Sequence, residues 1–391
     1  MTSIDALTAL HDDMRQWRQQ IHSYPETAYE ETATAELIAI QLQKFGLQVH
    51  RGLGVTGVVG SLSAGSGEHK IALRADMDAL YIQEKNEFDH RSRTAGKMHA
   101  CGHDGHTAML LGAAKYLAAN KNFSGTVYFI FQPAEEGRAG AQQMIDDGLF
   151  ELFPASSVFG MHNFPEIPTG HFAIKPGPMM AAFDCFEIQL HGQGSHAAMP
   201  HQGEDVIVAA AELINALQTI VSRNLDPAHS AVLSVTQVHA GNTWNALPES
   251  AVLRGTLRSF QKTDQQLLRS RIGQLANSIC AGLGVQAEIT FNPDGPGYPV
   301  TLNTERETAI AVKVATKLVG PEAVNLQPLP SLGSEDFAFM LQEKPGCYVW
   351  IGNGPSAGGC LLHNPHYDFN DAILPVGAAY WVNLVNSLLI R

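Results

Sequence analysis

Hydrophobic and polar positions fall into two successive patterns along the chain. Residues 4–45 carry apolar positions at helical spacing, interrupted at Ser23-Tyr24-Pro25-Glu26, so they predict two helices with the proline forcing the break. Short apolar runs follow at 57–62, 70–74 and 126–131, bounded by glycine and polar residues as buried strands are. The alanine- and leucine-rich stretch 107–119 between the last two predicts a buried helix. Strands alternating with helices imply an α/β fold with a mainly parallel sheet and helices on both faces.

The pattern changes near Phe183. Residues 183–191 alternate apolar and polar positions, and a helix at 205–221 follows a glycine-rich turn. Alternating segments at 231–238 and 251–259, a helix at 264–283 and a strand at 286–291 complete the series. Strand, helix, strand, strand, helix, strand is the order of a ferredoxin-like α+β unit with helices on one face. Pro293-Asp294-Gly295-Pro296-Gly297 then makes a loop or hinge. A helix at 305–318, an apolar run at 347–351 and a final helix at 376–389 return to the first style. The expectation is a discontinuous catalytic domain, 1–181 plus 293–391, with 182–292 inserted as a smaller domain.

Composition narrows the function classes. Hydrophobic residues at 45% and charged residues at 16% are those of an ordinary globular protein. A formal net charge of −13, with no basic run, argues against nucleic acid or an acidic membrane surface as partner. No run of 18 apolar residues occurs, so a membrane span is not expected. The five scattered cysteines contain no Cys-x-x-Cys pair, which favours a reducing, cytoplasmic setting over a disulfide framework.

Of those cysteines only Cys101 lies among other potential ligands. Met98-His99-Ala100-Cys101-Gly102-His103-Asp104-Gly105-His106 gathers a thiol, three imidazoles and a carboxylate. Packing does not call for such a cluster, whereas thiolate and imidazole suit borderline-soft divalent metals. Cys101 and His103 precede a helix at the end of a strand, where α/β proteins place their ligands. Glu135 and Glu136 follow the apolar run 126–131, and two adjacent carboxylates there call for nearby positive charge. In a metal site one of them can ligate while the other takes a proton from water. His162 follows another short apolar run, and His363 lies in a loop before the last helix. Glu335 and Asp336 behind Ser334 read as first-turn acids of a serine-capped helix.

The chain resembles the aminoacylase and hippurate-hydrolase group of co-catalytic metallopeptidases, which includes plant auxin-conjugate amidohydrolases. The matching segments are Asp76-Met77-Asp78-Ala79-Leu80, the 98–106 cluster, Gln132-Pro133-Ala134-Glu135-Glu136-Gly137 and Gly160-Met161-His162-Asn163. Gly194-Ser195-His196-Ala197-Ala198, Gly333-Ser334-Glu335-Asp336-Phe337 and Leu362-His363 match as well. The resemblance implies a dinuclear-metal exopeptidase-like catalytic domain and an inserted lid and dimerisation domain. It implies two divalent metal ions per subunit (manganese, zinc, cobalt or nickel), held by Cys101, His103, Glu136, His162 and His363 with the Cys101 thiolate bridging. Glu135 would be the general base. Asp78 and Asp104 would orient ligating histidines and hold their tautomers.

In the inserted domain, His196 resembles the lid histidine that helps stabilise the oxyanion, in many relatives from the partner subunit. Asn245 and Arg258 match positions that hold substrate oxygens, and Arg258 can grip a carboxylate with a bidentate fork. Gly137-Arg138-Ala139-Gly140 is less glycine-rich than the family pattern. The expected activity is metal-dependent hydrolysis of an N-acyl-L-amino acid such as hippurate by a homodimer or higher homo-oligomer. A dipeptidase or aminoacyl-conjugate hydrolase of the same fold is the alternative. A non-catalytic metal- or peptide-binding protein is the reading from another class, and the intact Glu135 beside a complete ligand set argues against it.

Overall fold

The computed structural model describes residues 3–355 and 359–390. Residues 1 and 391, where the expected catalytic domain begins and ends, lie outside these. Two compact units divide the chain. One runs to Met179 and resumes over Leu302–Leu329 and from Asp336 onward, and the other comprises Met180–Thr301 and Pro330–Glu335. The smaller unit thus continues past residue 292 and takes in a second short stretch that no change of pattern marks.

The larger unit is built on eight strands: β1 Gln48–Leu53, β2 Gly57–Ala64, β3 Lys70–Asp76, β4 Gly125–Gln132, β5 Ser157–Phe164, β6 Phe172–Ala173, β7 Val324–Asn325 and β8 Gly346–Gly352. They lie in the order β1-β2-β4-β3-β5-β8-β6-β7. The central run β4-β3-β5-β8 is parallel throughout, while β1, β2 and β6 join antiparallel. The four central strands are almost wholly buried, as expected for a parallel sheet covered on both faces. Strand β1, Gln-Val-His-Arg-Gly-Leu, has no apolar run to announce it and sits at the sheet edge, mostly exposed.

The N-terminal stretch forms three helices, Ser3–Thr8, His11–Ser23 and Thr32–Lys44. The helix His103–Ala119 is buried on nearly every side and packs against His11–Ser23 and Leu374–Leu388. It begins four residues before the alanine-rich stretch because Gly102, at φ +97°, turns the chain into it. A Cβ at Gly102 would lie 2.2 Å from Asn163 Oδ1, so glycine is needed for both conformation and close approach.

In the smaller unit the strands Ala231–Ala240, Ser250–Ser259, Ala182–His191 and Gln286–Phe291 lie in that spatial order, all antiparallel. The helices Val206–Thr219 and Lys262–Gly282 pack with them around a core that includes Phe186, Ile188, Leu213, Leu217, Leu253 and Leu268. With strands and helices in this chain order, the unit is ferredoxin-like. Asp205 caps the first helix, its carboxylate accepting from the Ile207 and Val208 N–H groups. Val206–Asn224 is long and apolar enough by length and hydropathy to cross a membrane, but Val206, Ala209, Leu213, Leu217 and Ile220 belong to this core.

Candidate active site

The carboxyl ends of the parallel strands bring the candidate residues of the larger unit together. Asp76 ends β3 beside Gln132, which ends β4, and His162 lies near the end of β5. Asp78 follows β3 by two residues, and Glu135 and Glu136 follow β4 through Ala134, which adopts φ +56°. Glu136 departs from helical angles at ψ 79°, so the adjacent carboxylates need not share one face. Cys101 and His103 flank Gly102 at the start of the buried helix. His363, at φ +65°, is tied to the same loop by donating its N–H to the Ala100 carbonyl, 2.8 Å away.

Potential ligand atoms of Cys101, Glu136 and His363 lie within 4.8 Å of one another, as do those of His103, Glu135 and Glu136. Cys101 Sγ is 3.4 Å from His162 Nε2, and His363 Nε2 is 3.2 Å from Glu136 Oε1. The imidazole tautomers follow from their partners. His103 donates from Nδ1 to the Asp78 carbonyl at 2.9 Å, and His162 donates from Nδ1 to the Asn163 carbonyl at 2.7 Å. Each then turns its Nε2 to the site. Asp78 also binds across it, with Oδ1 3.2 Å from His103 Nδ1 and Oδ2 accepting the Glu136 N–H at 2.9 Å.

One buried nitrogen here, His103 Nε2, has no hydrogen-bond partner. An unsatisfied buried polar atom costs roughly 1–3 kcal/mol, and a cation bound there removes that cost. Burial opposes protonation of His103, but Asp76, Cys101 and Asp78 outweigh it and raise its pKa well above the ordinary value, so a bound metal would displace the proton from its Nε2. The other protonation states agree with the fit. Burial opposes ionisation of Glu136, yet His363 and His103 hold its carboxyl below the usual range. Burial, reinforced by the Glu136 charge, pushes the Cys101 thiol far up, so only a cation would make it a thiolate near neutral pH. Burial and His106 keep the His162 imidazole well below its ordinary value, leaving it neutral and able to ligate. The residues therefore fit a divalent metal centre with sulfur, nitrogen and oxygen donors.

Some expectations meet different surroundings. The Asp104 carboxylate makes no hydrogen bond to His103 or His162: its Oδ2 is 2.9 Å from His22 Nδ1 and 3.5 Å from Arg18 Nη1. It therefore anchors the helix His11–Ser23 rather than orienting a candidate ligand. Asp336 is not a first-turn acid behind a serine cap, because it precedes the helix Phe337–Glu343. It is buried, with Oδ1 accepting from Arg74 Nη2 at 3.1 Å and Oδ2 accepting the Ala141 N–H at 2.9 Å.

Other polar residues of the site had no role assigned from sequence. Asp76 holds Arg74 Nη1 at 2.8 Å and His106 Nδ1 at 2.6 Å, and Asp76, His103, His106 and His162 form one buried group. His106 lies in the 98–106 cluster, and Asp76 opens the segment 76–80. Their signal was a charged or imidazole side chain at the end of an apolar strand or on an apolar helix.

In the smaller unit, the short strands Ser195–His196 and Ala246–Leu247 pair His196 with Ala246. His196 is exposed and its Nδ1 accepts the Ala198 N–H at 3.1 Å, so the ring proton resides on Nε2. Asn245 is exposed and its Oδ1 accepts from Thr243 Oγ1 at 3.0 Å. Arg258 stacks 4.3 Å above the Phe183 ring, donating from Nε to the Leu332 carbonyl and from Nη1 to that of Leu257. Two of its three nitrogens are thereby held by backbone.

A buried thiol, imidazoles and paired carboxylates at the carboxyl edge of a parallel sheet define a metal-dependent hydrolase of amide bonds. The chain belongs to peptidase family M20/M25/M40, whose pattern matches residues 72–387. It is 40% identical over 389 residues to a hippurate hydrolase of Campylobacter jejuni, covering 100% of both chains. It is 37% identical to an N-acetylcysteine deacetylase of Bacillus subtilis, covering 97% of this chain and 98% of the relative. A dinuclear metal binding peptidase of the M20 family from Bacillus subtilis superposes with a TM-score of 0.85 at 34% identity, covering 98% of this chain and 99% of that one.

Proposed function

We propose that the protein hydrolyses the amide bond of N-acyl-L-amino acids, hippurate among them, to a carboxylic acid and a free amino acid. The observation that carries the reading is the pairing of Glu135 and Glu136 beside the buried donors: Glu136 groups with Cys101 and His363, and both glutamates group with His103. Cys101, His103, Glu136, His162 and His363 would hold two divalent ions, with Cys101 shared; manganese, zinc, cobalt and nickel all suit such donors. The ions would supply Lewis acidity at the scissile carbonyl and at water.

The chain's own groups complete the chemistry. Glu135, 7% exposed, takes a proton from the attacking water and passes it to the leaving nitrogen. His196, with its proton on Nε2, donates to the developing oxyanion. Asn245 and Arg258 hold the substrate's carboxylate and carbonyl oxygens, Arg258 with its planar guanidinium already fixed by Phe183. The segment 182–292 serves as lid and dimerisation domain of a homodimer or higher homo-oligomer in the cytoplasm. Its edge strand Ala231–Ala240, exposed from Thr236 to Ala240, is one element open to pairing.

The alternative dipeptidase reading requires acceptance of a free α-amino group next to the scissile bond. Comparing an N-acetylated amino acid with the dipeptide that replaces acetyl by glycyl separates the two. Higher kcat/KM on the acetylated substrate is expected, and the reverse order overturns the substrate class while leaving the metal chemistry in place.

A further inference from the structure

We propose that His106 is a positioning residue for His162, acting through the backbone of Asn163, so that His162 presents a bare Nε2 to the metal site. The proposal rests on the reading of His162 as a ligand. Its parts are Asp76, His106 and Asn163, all at most 2% exposed, so water does not compete for their hydrogen bonds.

The proton positions follow from what each group can do. Asp76 is fixed by Arg74 Nη1 at 2.8 Å, and its Oδ1 lies 2.6 Å from His106 Nδ1. A carboxylate paired with a guanidinium only accepts, so His106 carries a proton on Nδ1. The Asn163 backbone N–H can only donate, and it reaches His106 Nε2 at 3.0 Å, so that nitrogen is bare. At the other end of the same residue, the Asn163 carbonyl accepts from His162 Nδ1 at 2.7 Å. That bond fixes the His162 proton on Nδ1 and frees Nε2, which lies 3.4 Å from Cys101 Sγ. The Asn163 amide is placed with Oδ1 2.7 Å from His106 Nε2 and Nδ2 2.6 Å from Tyr367 Oη, but a nitrogen that accepts the backbone N–H cannot also donate to Oδ1, so the amide's O and N are exchanged. With its NH2 turned to His106, that amide donates to the same bare lone pair and accepts from the tyrosine.

Strand pairing explains why a side chain is needed there. β3 stops pairing with β5 at Arg74↔Gly160, while β8 continues to Gly352↔Phe164. The Asn163 N–H therefore meets an imidazole from the buried helix where a strand would otherwise be, and an unmatched buried N–H would cost roughly 1–3 kcal/mol. His106 replaces the missing strand and fixes the peptide on which His162 is oriented. A histidine that merely filled the core would not require this tautomer.

The test starts with the unaltered protein. Histidine 15N spectra of the metal-free chain should show His106 and His162 each protonated on Nδ1 alone; a proton on His106 Nε2 overturns the proposal. Co2+ alone is then titrated against a competing chelator into wild type, His106→Leu and His106→Gln. His106→Leu should bind one of the two ions about 10- to 100-fold more weakly. His106→Gln should recover most of that loss, because its amide oxygen can accept the Asn163 N–H. A folded His106→Leu protein that binds both ions as tightly as wild type also overturns it. Should His106→Leu not fold, the wild-type tautomers decide. Failure of the wild type itself to bind Co2+ would instead refute the ligand reading, and the tautomers would still judge the role of His106.

Discussion

Cys101 occupies the most consequential position among the candidate ligands. Burial holds its thiol in the neutral form, and His162 Nε2 is 3.4 Å away. Only a bound cation makes ionisation favourable there, so the residue contributes to metal affinity far more than to packing. Cys101→Ala should lower the bound metal from two ions per chain to one or fewer at equal free metal, measured by elemental analysis after gel filtration. Two retained ions would remove the bridge from the account. At this scale the sequence was informative because ligand residue types crowd together between Met98 and His106. It was uninformative for Asp76 and Asp104, since an aspartate at a strand end or in a first helical turn looks alike whether it binds arginine, histidine or water. Asp104 was matched to the ligand histidines, and only the fold reveals that it belongs to His22 and Arg18.

At the scale of elements, the helix His11–Ser23 is held to the start of the helix His103–Ala119 by an ionic cluster around the buried Arg18 and His22. His22 lies 2.9 Å from Asp104 and 3.2 Å from Glu84, while Arg18 reaches Asp104, Asp368 and Asp371. Burial opposes protonation of His22, but bonds to Asp104 and Glu84 outweigh it and raise its pKa from 6.5 to about 9. A folded-state pKa above the unfolded value contributes stability that is fully present below about pH 6.5 and lost as pH rises through about 9. The urea midpoint should therefore fall between pH 6.5 and pH 9 in the wild type and fall less steeply in His22→Gln. Equal slopes would mean that His22 is not charged in the fold. The elements themselves were largely legible, because buried parallel strands and the alanine-rich helix declare themselves through apolar runs. The edge strand β1 was not, being polar, and neither were ion pairs such as Arg18 with Asp371, 353 positions apart, which no local pattern encodes.

The whole molecule joins two units of different construction, and the candidate metal ligands all belong to the larger one. Those ligands come from both halves of its sequence, since His363 closes a group begun by Cys101 and Glu136. Metal binding should accordingly stabilise that unit as a whole. Ions present at a hundredfold over their Kd add about 2.7 kcal/mol per site, so chelation should lower the melting temperature and readdition should restore it. A melting temperature indifferent to chelator, with metal removal verified, would separate the site from the stability of the fold. The insertion was visible in the sequence through its switch to alternating strands. Its second segment, Pro330–Glu335, was not, because six residues carry no periodicity.

The most direct test of the central claim is release of free glycine from hippurate by the purified protein loaded with manganese or zinc, run beside Glu135→Ala carrying the same metal content. The account predicts turnover by the wild type and a loss of about 100- to 10,000-fold in the variant. Equal release by the two proteins, or none from the fully metallated wild type, would contradict it.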